Sequence, residues 1–480
     1  MLLYAQHIVS WLRLRIPMTI REHVALSVAQ MAQWASRQFG FGGGTNLPGR
    51  IARRIAPDVL RHQTKRLSGG VVLVSGTNGK TTTSRMIAAI CSQQGQPALH
   101  NRAGANLITG LTAATLDLGI WGQPHYQRAL FEVDEAHLPA AIAETQPRVV
   151  LLLNLFRDQL DRYGEVDTLA AKWQKVLASL PSTSTVVLNA DDPAVADLAT
   201  GLQAQVLFYG LEDQRHGNDA LRHAADSIFC RRCGQPYRYE PAYYGHIGRY
   251  HCPACGHRRP EPNVILRQLE LDGTRGSTLR VIAGQNQGQQ ALELNLPLPG
   301  LYNALNALAA IAATSALNVP LPIIRNALEQ FSAAFGRIER FEYQQKSVLM
   351  ALIKNPIGAS ETVRMITSGS QAPLNLMIAI NDKIADGTDV SWLWDADFEA
   401  LAGHTQRIVV SGTRAADMAN RLKYAGIDQH QLQVEPDLAQ AFDLAIAGDE
   451  PLTMLPTYTA MLEMREVLVE RGVLKPFWES

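Results

Sequence analysis

Short apolar runs alternate with stretches of helical periodicity along most of the chain, and this pattern predicts strands buried on both faces. The runs lie at Val71–Ser75, Ala129–Val133, Val149–Asn154, Thr185–Asn189, Val348–Ile353, Leu374–Ile380 and Arg407–Ser411. Helical spacing runs from Lys80 to Gln94, where Gly95 ends it, and again from Asn303 to Leu317. Because strands that alternate with helices form parallel sheets, we predict an α/β protein.

The pattern changes at a few places, which divide the chain into segments. Residues 1–45 are expected to form an N-terminal amphipathic helical segment, and residues 46–335 a central nucleotide-binding α/β domain. Paired cysteines interrupt that domain at about 226–262 and indicate an inserted ribbon. Residues 336–480 are expected to form a Rossmann-like C-terminal α/β domain, entered through a hinge at Phe335–Arg340.

Composition narrows the class of protein. The 480 residues include 44 basic and 44 acidic side chains, so the formal net charge is +0. Nucleic-acid-binding proteins usually carry a basic surface, and no nucleic-acid partner is therefore expected. No apolar run reaches the ~18 residues of a membrane-spanning helix. The N-terminal segment is interpreted as an amphipathic helix packed on the protein, with a helix lying on a membrane surface as the alternative.

Residues 75–83 read Ser-Gly-Thr-Asn-Gly-Lys-Thr-Thr-Thr, directly after the first apolar run. The two glycines let the backbone approach a phosphate, and the start of the following helix attracts an anion. Lys80 can reach the terminal phosphates of a nucleoside triphosphate, and the Thr81 hydroxyl can bind Mg²⁺. The alternative is a chance glycine turn. The candidate ATP-binding residues here are Gly76, Thr77, Asn78, Gly79, Lys80, Thr81 and Thr82.

Polar residues at the ends of other elements extend this candidate site. Glu132 ends an apolar strand and is a candidate Mg²⁺ ligand, whereas Asp134 and Glu135 are expected in a solvated turn. Asn303 and Asn306 begin a helix and are candidates for reading an adenine edge, although Asn303 can equally be a helix cap.

Two further groups of charged residues have more than one possible role. Arg337, at the predicted domain junction, is a candidate catalytic residue that can reach the γ-phosphate when the domains close. Asp158 and Asp161 can serve metal or substrate, and Arg157 can hold a carboxylate or phosphate. Helix capping and ion pairing are equally good explanations for these three residues.

Four cysteines form two knuckles separated by eighteen residues. Paired C-x-x-C motifs predict a structural, tetrahedral Zn²⁺ site, with disulfides as the alternative. The candidate ligands are Cys230, Cys233, Cys252 and Cys255. The neighbouring His246, His251 and His257 are expected at the surface. The fifth cysteine, Cys91, lies on the apolar face of a helix and is interpreted as a core residue.

The motifs at Gly76–Thr82, Phe131–Glu135, Gly300–Asn306 and Gly336–Glu339 resemble those of the Mur ligase family. A standard phosphate loop would have glycine where Val74 stands, and the short form is typical of Mur ligases and folylpolyglutamate synthases. Three features depart from most Mur ligases. The usual N-terminal UDP-binding domain is not expected, because the phosphate loop comes early in the sequence. Tyr302 stands where a histidine is usual, and Lys354-Asn355-Pro356 stands where a ribose-binding aspartate motif is usual.

These departures and the cysteines resemble the MurT-type subgroup, the ligase subunits of lipid II isoglutaminyl synthase. The stretches that carry this resemblance are Gly43–Gly49, Asn154–Gly164, Ala385–Asp395, Arg421–Gly426 and Leu455–Ala460. The resemblance implies ATP, Mg²⁺ and structural Zn²⁺, with amidation of the D-isoglutamate α-carboxylate of lipid II through an acyl phosphate. It also implies a cytoplasmic heterodimer with a GatD-like glutaminase, and a position at the inner face of the membrane is compatible with it.

In such a pair the ligase subunit lends an acid to the partner's catalytic site. Asp386 is the first candidate and Asp389 the second, while Asp382 is not distinguished from them by the sequence. Capping of Asx turns is the alternative role. Trp392 and Trp394 are expected to pack in the core, with anchoring of the subunit interface as the alternative. The alternative functions are a stand-alone amino-acid ligase of the folylpolyglutamate type and a non-enzymatic, ATP-binding regulator with a zinc ribbon.

Overall fold

The computed structural model describes residues 18–38, 46–101, 105–119, 124–157, 165–218, 225–284, 288, 290–331, 338–368, 373–448 and 450–475. Within these ranges the chain forms a nine-stranded sheet, a six-stranded sheet and a two-stranded hairpin. Each large sheet is covered by helices, so the architecture is the predicted α/β one.

The nine-stranded sheet forms the core of the first unit. Its strands are β1 (Gly70–Ser75), β2 (Ala98–His100), β3 (Arg128–Glu132), β4 (Val149–Leu152), β5 (Thr185–Asn189), β6 (Gln205–Leu211), β9 (Val264–Asp272), β10 (Gly276–Ala283) and β11 (Gln290–Leu296). Their order is β11-β10-β9-β6-β5-β4-β1-β3-β2. All pairings from β2 to β9 are parallel, and β10 joins β9 and β11 by antiparallel pairing.

Strand β1 lies between β3 and β4, and its residues from Val71 onward are buried. This explains its continuous apolar sequence, since a parallel strand with helices on both faces has no solvent side. The helices of this unit are α4 (Lys80–Gln93), α5 (Ile108–Ala114), α6 (Leu138–Thr145), α7 (Glu165–Leu177), α8 (Pro193–Ala196), α9 (Leu301–Ala316) and α10 (Leu321–Glu329). Helix α9 is buried over almost its whole length and packs against α4.

Three helices precede the first sheet: α1 (Met18–Gln38), α2 (Leu47–Ile55) and α3 (Val59–Lys65). Ala25, Leu26 and Ala29 of α1 pack against Ala52 and Ile55 of α2. Leu116 belongs to the same cluster and α2 contacts α5, so the two helices are fixed to the central unit. Among the described residues, no helix combines the length and the apolar character that crossing a bilayer requires.

The hairpin of β7 (Arg238–Tyr244) and β8 (Ile247–His251) lies in the connection between β6 and β9. It stands beside the four cysteines, and Tyr237, Tyr239 and Tyr250 form a small separate core with Cys230 and Cys252. The predicted insertion is therefore a distinct element that leaves the sheet and returns to it.

The second unit is built on the six-stranded sheet. Its strands are β12 (Ile338–Tyr343), β13 (Lys346–Ala351), β14 (Leu374–Ala379), β15 (Thr405–Ser411), β16 (Leu432–Val434) and β17 (Leu452–Pro456), in the order β12-β13-β17-β14-β15-β16. Only the β12–β13 pair is antiparallel. The helices are α11 (Pro356–Ser368), α12 (Ala415–Tyr424), α13 (Leu438–Ile446) and α14 (Tyr458–Glu470).

The seven predicted apolar strands are all present, within a few residues of their predicted bounds. The sequence did not predict that the polar strands after the cysteine insertion extend the same sheet. Helix α9 begins at Leu301, two residues before the predicted start, because Gly300 with φ +90° precedes it. The domain boundaries at 45/46 and 335/336 stay a prediction.

Candidate functional site

The turn between β1 and α4 is shaped by two glycines with positive φ, +137° at Gly76 and +89° at Gly79. A Cβ at Gly79 would lie 2.2 Å from Oδ1 of Asn306, and one at Gly76 would lie 3.0 Å from the backbone of Asn154. Side chains at either position would therefore meet both backbone strain and a steric clash. This places Asn306 of α9 directly against the predicted phosphate loop.

Asn154 holds the other side of this loop. Its Oδ1 accepts a hydrogen bond from the backbone N–H of Asn78 at 2.8 Å, and its Nδ2 donates to the Asn78 carbonyl at 3.0 Å. The Thr77 N–H donates to the Asn154 carbonyl at 3.0 Å, and the Phe156 N–H donates to Oγ1 of Thr77 at 3.0 Å. The loop is thus fixed by the segment that follows β4.

Lys80 begins α4 and lies within the loop. Its Nζ donates to the carbonyl of Gly76 at 2.6 Å, to that of Thr77 at 3.2 Å and to Oε1 of Glu135 at 3.1 Å. Burial raises the pKa of Glu135, and the charge of Lys80 opposes that shift. The expectation that Glu135 belongs to a solvated turn is therefore wrong, because this carboxylate is largely buried against the loop lysine.

Thr81 and Glu132 meet at the carboxyl end of the sheet. The Thr81 hydroxyl donates to Oε1 of Glu132 at 3.2 Å, and Glu132 is buried as the last residue of β3. A hydroxyl and a carboxylate beside a phosphate loop are oxygen donors of the kind that Mg²⁺ prefers. The residues present thus fit a magnesium ion, and they are the two that the sequence suggested.

The two asparagines of α9 are buried and connected to each other. Nδ2 of Asn303 donates to the carbonyl of Pro299 at 2.8 Å, and Nδ2 of Asn306 donates to Oδ1 of Asn303 at 3.5 Å. Gly300, rather than Asn303, occupies the N-cap position of the helix, which removes the capping alternative. The adenine-reading role stays a prediction.

The C-terminal unit also reaches this loop, through Asn355. Its Nδ2 donates to Oδ1 of Asn78 at 2.8 Å, while its own Oδ1 accepts from the Gly358 N–H at the start of α11. Tyr302, from the first unit, packs in turn on the core of the second. The sequence singled out Lys354-Asn355-Pro356 because it differs from the usual Mur ligase motif. The contact between Asn355 and Asn78 was not predicted.

Several predicted residues cannot be placed in this site. Arg337, Asp158 and Asp161 lie outside the described residues. Arg157 is described, and its backbone N–H donates to Oδ2 of Asp226 at 2.8 Å while its guanidinium pairs with the same carboxylate. For Arg157 this geometry agrees with the ion-pair explanation.

The candidate aspartates lie in the segment that follows β14. Asp386 is buried, and its carboxylate accepts from the backbone N–H of Thr459 at 2.8 Å and from the Thr459 hydroxyl. Asp389 is exposed and accepts from the backbone N–H of Ser391 at 2.8 Å, and this bond lowers the pKa of Asp389. The bond from residue i+2 is an Asx turn, as the alternative interpretation proposed for such aspartates. Asp382 accepts from the Thr413 hydroxyl at 2.8 Å.

The two tryptophans of this stretch have different environments. Trp392 is buried in the core of the second unit, as predicted. The prediction was wrong for Trp394, which is exposed and stacks against Tyr424 with ring centroids 5.6 Å apart. The guanidinium of Arg421 lies 5.5 Å from the Trp394 ring.

The four cysteines of the insertion converge. Their Sγ atoms all lie within 4.8 Å of one another, with 3.6 Å between Cys230 and Cys255 and 3.4 Å between Cys233 and Cys252. These separations are too long for disulfides. Thiolates around Zn²⁺, at about 2.3 Å from the metal, would lie about 3.8 Å apart. The donor set and its spacing therefore fit zinc.

The expectation that the nearby histidines lie at the surface was wrong for two of them. His246 is fully buried and packs against Phe156 with ring centroids 4.4 Å apart. His257 is buried too, and its Nδ1 lies 2.8 Å from the hydroxyl of Tyr237. His251 is half-buried. Cys91 is buried in the core, as predicted, and burial raises its pKa.

Comparison with known proteins identifies both units. The model of the Mur ligase middle domain matches residues 74–237, and that of the MurT ligase C-terminal domain matches residues 352–461. A Streptococcus pneumoniae protein named lipid II isoglutaminyl synthase (glutamine-hydrolyzing) subunit MurT is 33% identical, covering 90% of this chain and 94% of its own. A Staphylococcus aureus protein of the same name is 32% identical, covering 94% and 98%.

A solved structure supports the fold. The pseudomurein peptide ligase type C from Methanothermus fervidus superposes with a TM-score of 0.64, covering 86% of this chain and 80% of its own. Its sequence identity of 20% limits the inference to the architecture.

Proposed function

Because the chain belongs to the MurT family of Mur ligases, we propose that it is the ligase subunit of a lipid II isoglutaminyl synthase. As a member of this family it is an ATP-dependent ligase. The proposed reaction converts the α-carboxylate of D-isoglutamate in the lipid II stem peptide to the amide, within peptidoglycan biosynthesis. A GatD-like glutaminase supplies the ammonia in a heterodimer, in the cytoplasm at the inner face of the membrane.

The carboxylate needs activation, because its oxygen is a poor leaving group when ammonia attacks. In the proposed mechanism a carboxylate oxygen attacks the γ-phosphorus of ATP, the bond from that phosphorus to the bridging oxygen breaks, and ADP leaves. Ammonia then attacks the carbonyl carbon of the acyl phosphate. Phosphate departs with the bonding electron pair, and the nitrogen loses a proton to give the neutral amide.

The convergence of Lys80, Thr81 and Glu132 at one edge of the sheet is the observation that supports this proposal most strongly. Lys80 would stabilise charge on the transferred phosphoryl group, and the loop amides would orient the phosphates. Mg²⁺, when bound, would neutralise phosphate charge, and Thr81 and Glu132 would hold it. Arg337 is proposed to add a second positive charge.

The aspartates after β14 are proposed to serve the partner's active site. A Cys-His glutaminase needs a carboxylate to orient its histidine. Asp386 is the first candidate by sequence, but both of its oxygens accept hydrogen bonds from Thr459. The exposure of Asp389 favours it as the group that a second protein can reach. The neighbouring Ile384, 94% exposed, is an apolar side chain that a docked partner would cover.

We propose that the cysteine cluster holds a structural Zn²⁺, because all four positions of a tetrahedron are filled by protein. The adjoining β7–β8 hairpin carries His246, which packs on Phe156 behind the phosphate loop. Arg364 of α11 donates to the carbonyl of Tyr243 in β7 at 2.8 Å. The insertion thus contacts both the loop support and the C-terminal unit.

An amidation assay tests the two-subunit proposal. The purified chain is given ATP and a lipid II substrate with either ammonium chloride or glutamine. We expect amidation with ammonium chloride and none with glutamine until the glutaminase is added. Full activity with glutamine alone would contradict the need for a partner. Ligation of a free amino acid instead of ammonia would establish the alternative, a stand-alone ligase.

A further inference from the structure

The outward side of α1 carries large apolar residues that nothing in the described protein covers. Ile20, Met31 and Trp34 are 54%, 61% and 63% exposed. At about 100° per residue, these positions fall within about 60° of one another around the helix, so they form one stripe. The opposite side of α1 is buried against α2. Met31 and Trp34 are neighbours on this side, and Ile20 lies about 16 Å further along the same side of the helix.

Helix α2, which packs against α1, also exposes a mixture of apolar and basic residues. Leu47, Arg50 and Arg54 are exposed, and their spacing of three and four residues puts them on one side of the helix. Pro48, Gly49, Ala52 and Ile55 face inward. We call the six exposed residues of α1 and α2, namely Ile20, Met31, Trp34, Leu47, Arg50 and Arg54, the N-terminal face.

The charge of this part of the chain differs sharply from the rest. Residues 1–66 contain ten Lys and Arg but only two Asp and Glu, a net charge of +8. Because the whole chain is neutral, the remaining residues carry −8. Residues 1–17, directly before α1, are also rich in apolar and basic residues. Their sequence at positions 11–15 is Trp-Leu-Arg-Leu-Arg. The excess positive charge thus lies in the part of the chain that carries the exposed apolar residues, and Arg50 and Arg54 are its exposed members on α2.

We propose that the N-terminal face binds an anionic lipid bilayer surface. Tryptophan and aliphatic side chains enter the boundary between headgroups and acyl chains, and arginines bind lipid phosphates while their stems remain in the apolar layer. A second copy of this chain is a poorer occupant, because two faces of like charge would repel each other. The biological relevance of a membrane rests on the proposed function, which has a lipid-linked substrate.

Vesicle co-sedimentation of the full chain tests this proposal without ATP, ammonia or partner, so that it can fail independently of the proposed reaction. We expect binding to phosphatidylcholine vesicles containing phosphatidylglycerol, weakening with salt, and at least about tenfold weaker binding to pure phosphatidylcholine. The double variants Met31→Glu/Trp34→Glu and Arg50→Glu/Arg54→Glu should each lose at least about tenfold in affinity.

Val434→Glu, at an exposed apolar position of β16, is the matched control and should bind as the original chain does. Circular dichroism and the thermal unfolding midpoint verify that the variants are folded. Failure of the original chain to bind the anionic vesicles would overturn the proposal, as would unchanged binding by both double variants. A dimer that Met31→Glu/Trp34→Glu converts to monomer, without vesicle binding, would identify a second copy as the occupant instead.

Discussion

The loop at residues 76–79 and the segment at residues 380–390 both follow parallel strands at their carboxyl ends, yet they are built differently. The first has four residues, and Asn78 and Thr77 are hydrogen-bonded within the chain on several sides. The second is longer and exposes Ile384 and Asp389. A loop of closely held backbone groups suits a small anionic ligand. A segment that presents side chains to solvent suits another protein.

The comparison therefore separates the two halves of the proposed reaction. Phosphate binding would depend on residues of this chain, whereas ammonia supply would depend on a complex. Changes in the first loop should affect every assay, and changes in the second should affect only the assay with glutamine.

The largest expected effect comes from breaking the first loop. Lys80→Ala should lower ammonia-dependent amidation by at least about 10³-fold, because the positive charge at the transferred phosphoryl group is lost. The unfolding midpoint should also fall, because the largely buried Glu135 carboxylate loses its counter-charge. Lys65→Ala, at an exposed lysine of α3, should retain full activity. Unchanged amidation by Lys80→Ala would show that this loop does not bind the reacting nucleotide.

The second experiment addresses the segment after β14. Asp389→Asn, or Asp386→Asn if the buried aspartate is the one used, should lower glutamine-dependent amidation by about 10²-fold or more. Activity with ammonium chloride should stay unchanged for that variant. Asp395→Asn, at an exposed aspartate of the same stretch, is the control. Equal losses with both nitrogen sources would place the aspartate in the ligase site and remove the contrast between the two loops.

The third experiment asks whether the inserted cysteine element binds zinc and thereby stabilises the protein. The double variant Cys233→Ser/Cys255→Ser should contain no zinc and should unfold at least about 5 °C below the original chain. Elemental analysis and a thermal scan measure both quantities. Arg232→Ser, at an exposed residue of the first knuckle, should keep the metal and the midpoint. An original chain without bound metal would contradict the zinc assignment.

The smallest expected effect concerns the bond between the units. Asn355→Asp keeps the oxygen that accepts from Gly358 but loses the amide that donates to Asn78. We expect the KM for ATP to rise at least about fivefold, as loss of about 1 kcal/mol implies. The unfolding midpoint should fall as well, because the new carboxylate is buried opposite an oxygen of Asn78. Asn355→Ala should also lower the unfolding midpoint, because it removes the helix cap. An unchanged KM in both variants would separate Asn355 from nucleotide binding.

The sequence predicted the features that depend on neighbouring residues. Continuous apolar runs identified strands such as β1 and β14, because a strand buried on both faces has no polar side. The phosphate loop was recognisable because its two glycines and Lys80 lie within five residues. The cysteine cluster followed from spacing alone. In each case the determining residues are close in sequence or share a strict pattern.

Features that depend on distant pairs were not predicted. Asn355 and Asn78 are 277 residues apart, and the sequence around either residue does not indicate a contact with the other. His246 is polar and lies in a turn, so exposure was the natural expectation, but Phe156 covers it from another segment. Trp394 was predicted to lie in the core because a tryptophan side chain has a large apolar area. Its exposure depends on how Tyr424 and Arg421 are arranged around it.

Asn78 takes part in both units, since its backbone bonds to Asn154 and its side chain to Asn355. A ligand whose binding strains or strengthens the Asn355 bond therefore changes the free energy of the C-terminal unit as well. The coupling between two such ligands is reciprocal. If a protein docks on that unit and changes the affinity for nucleotide by some factor, the nucleotide must change the affinity for that protein by the same factor. Through one amide, each occupant would be an effector of the other.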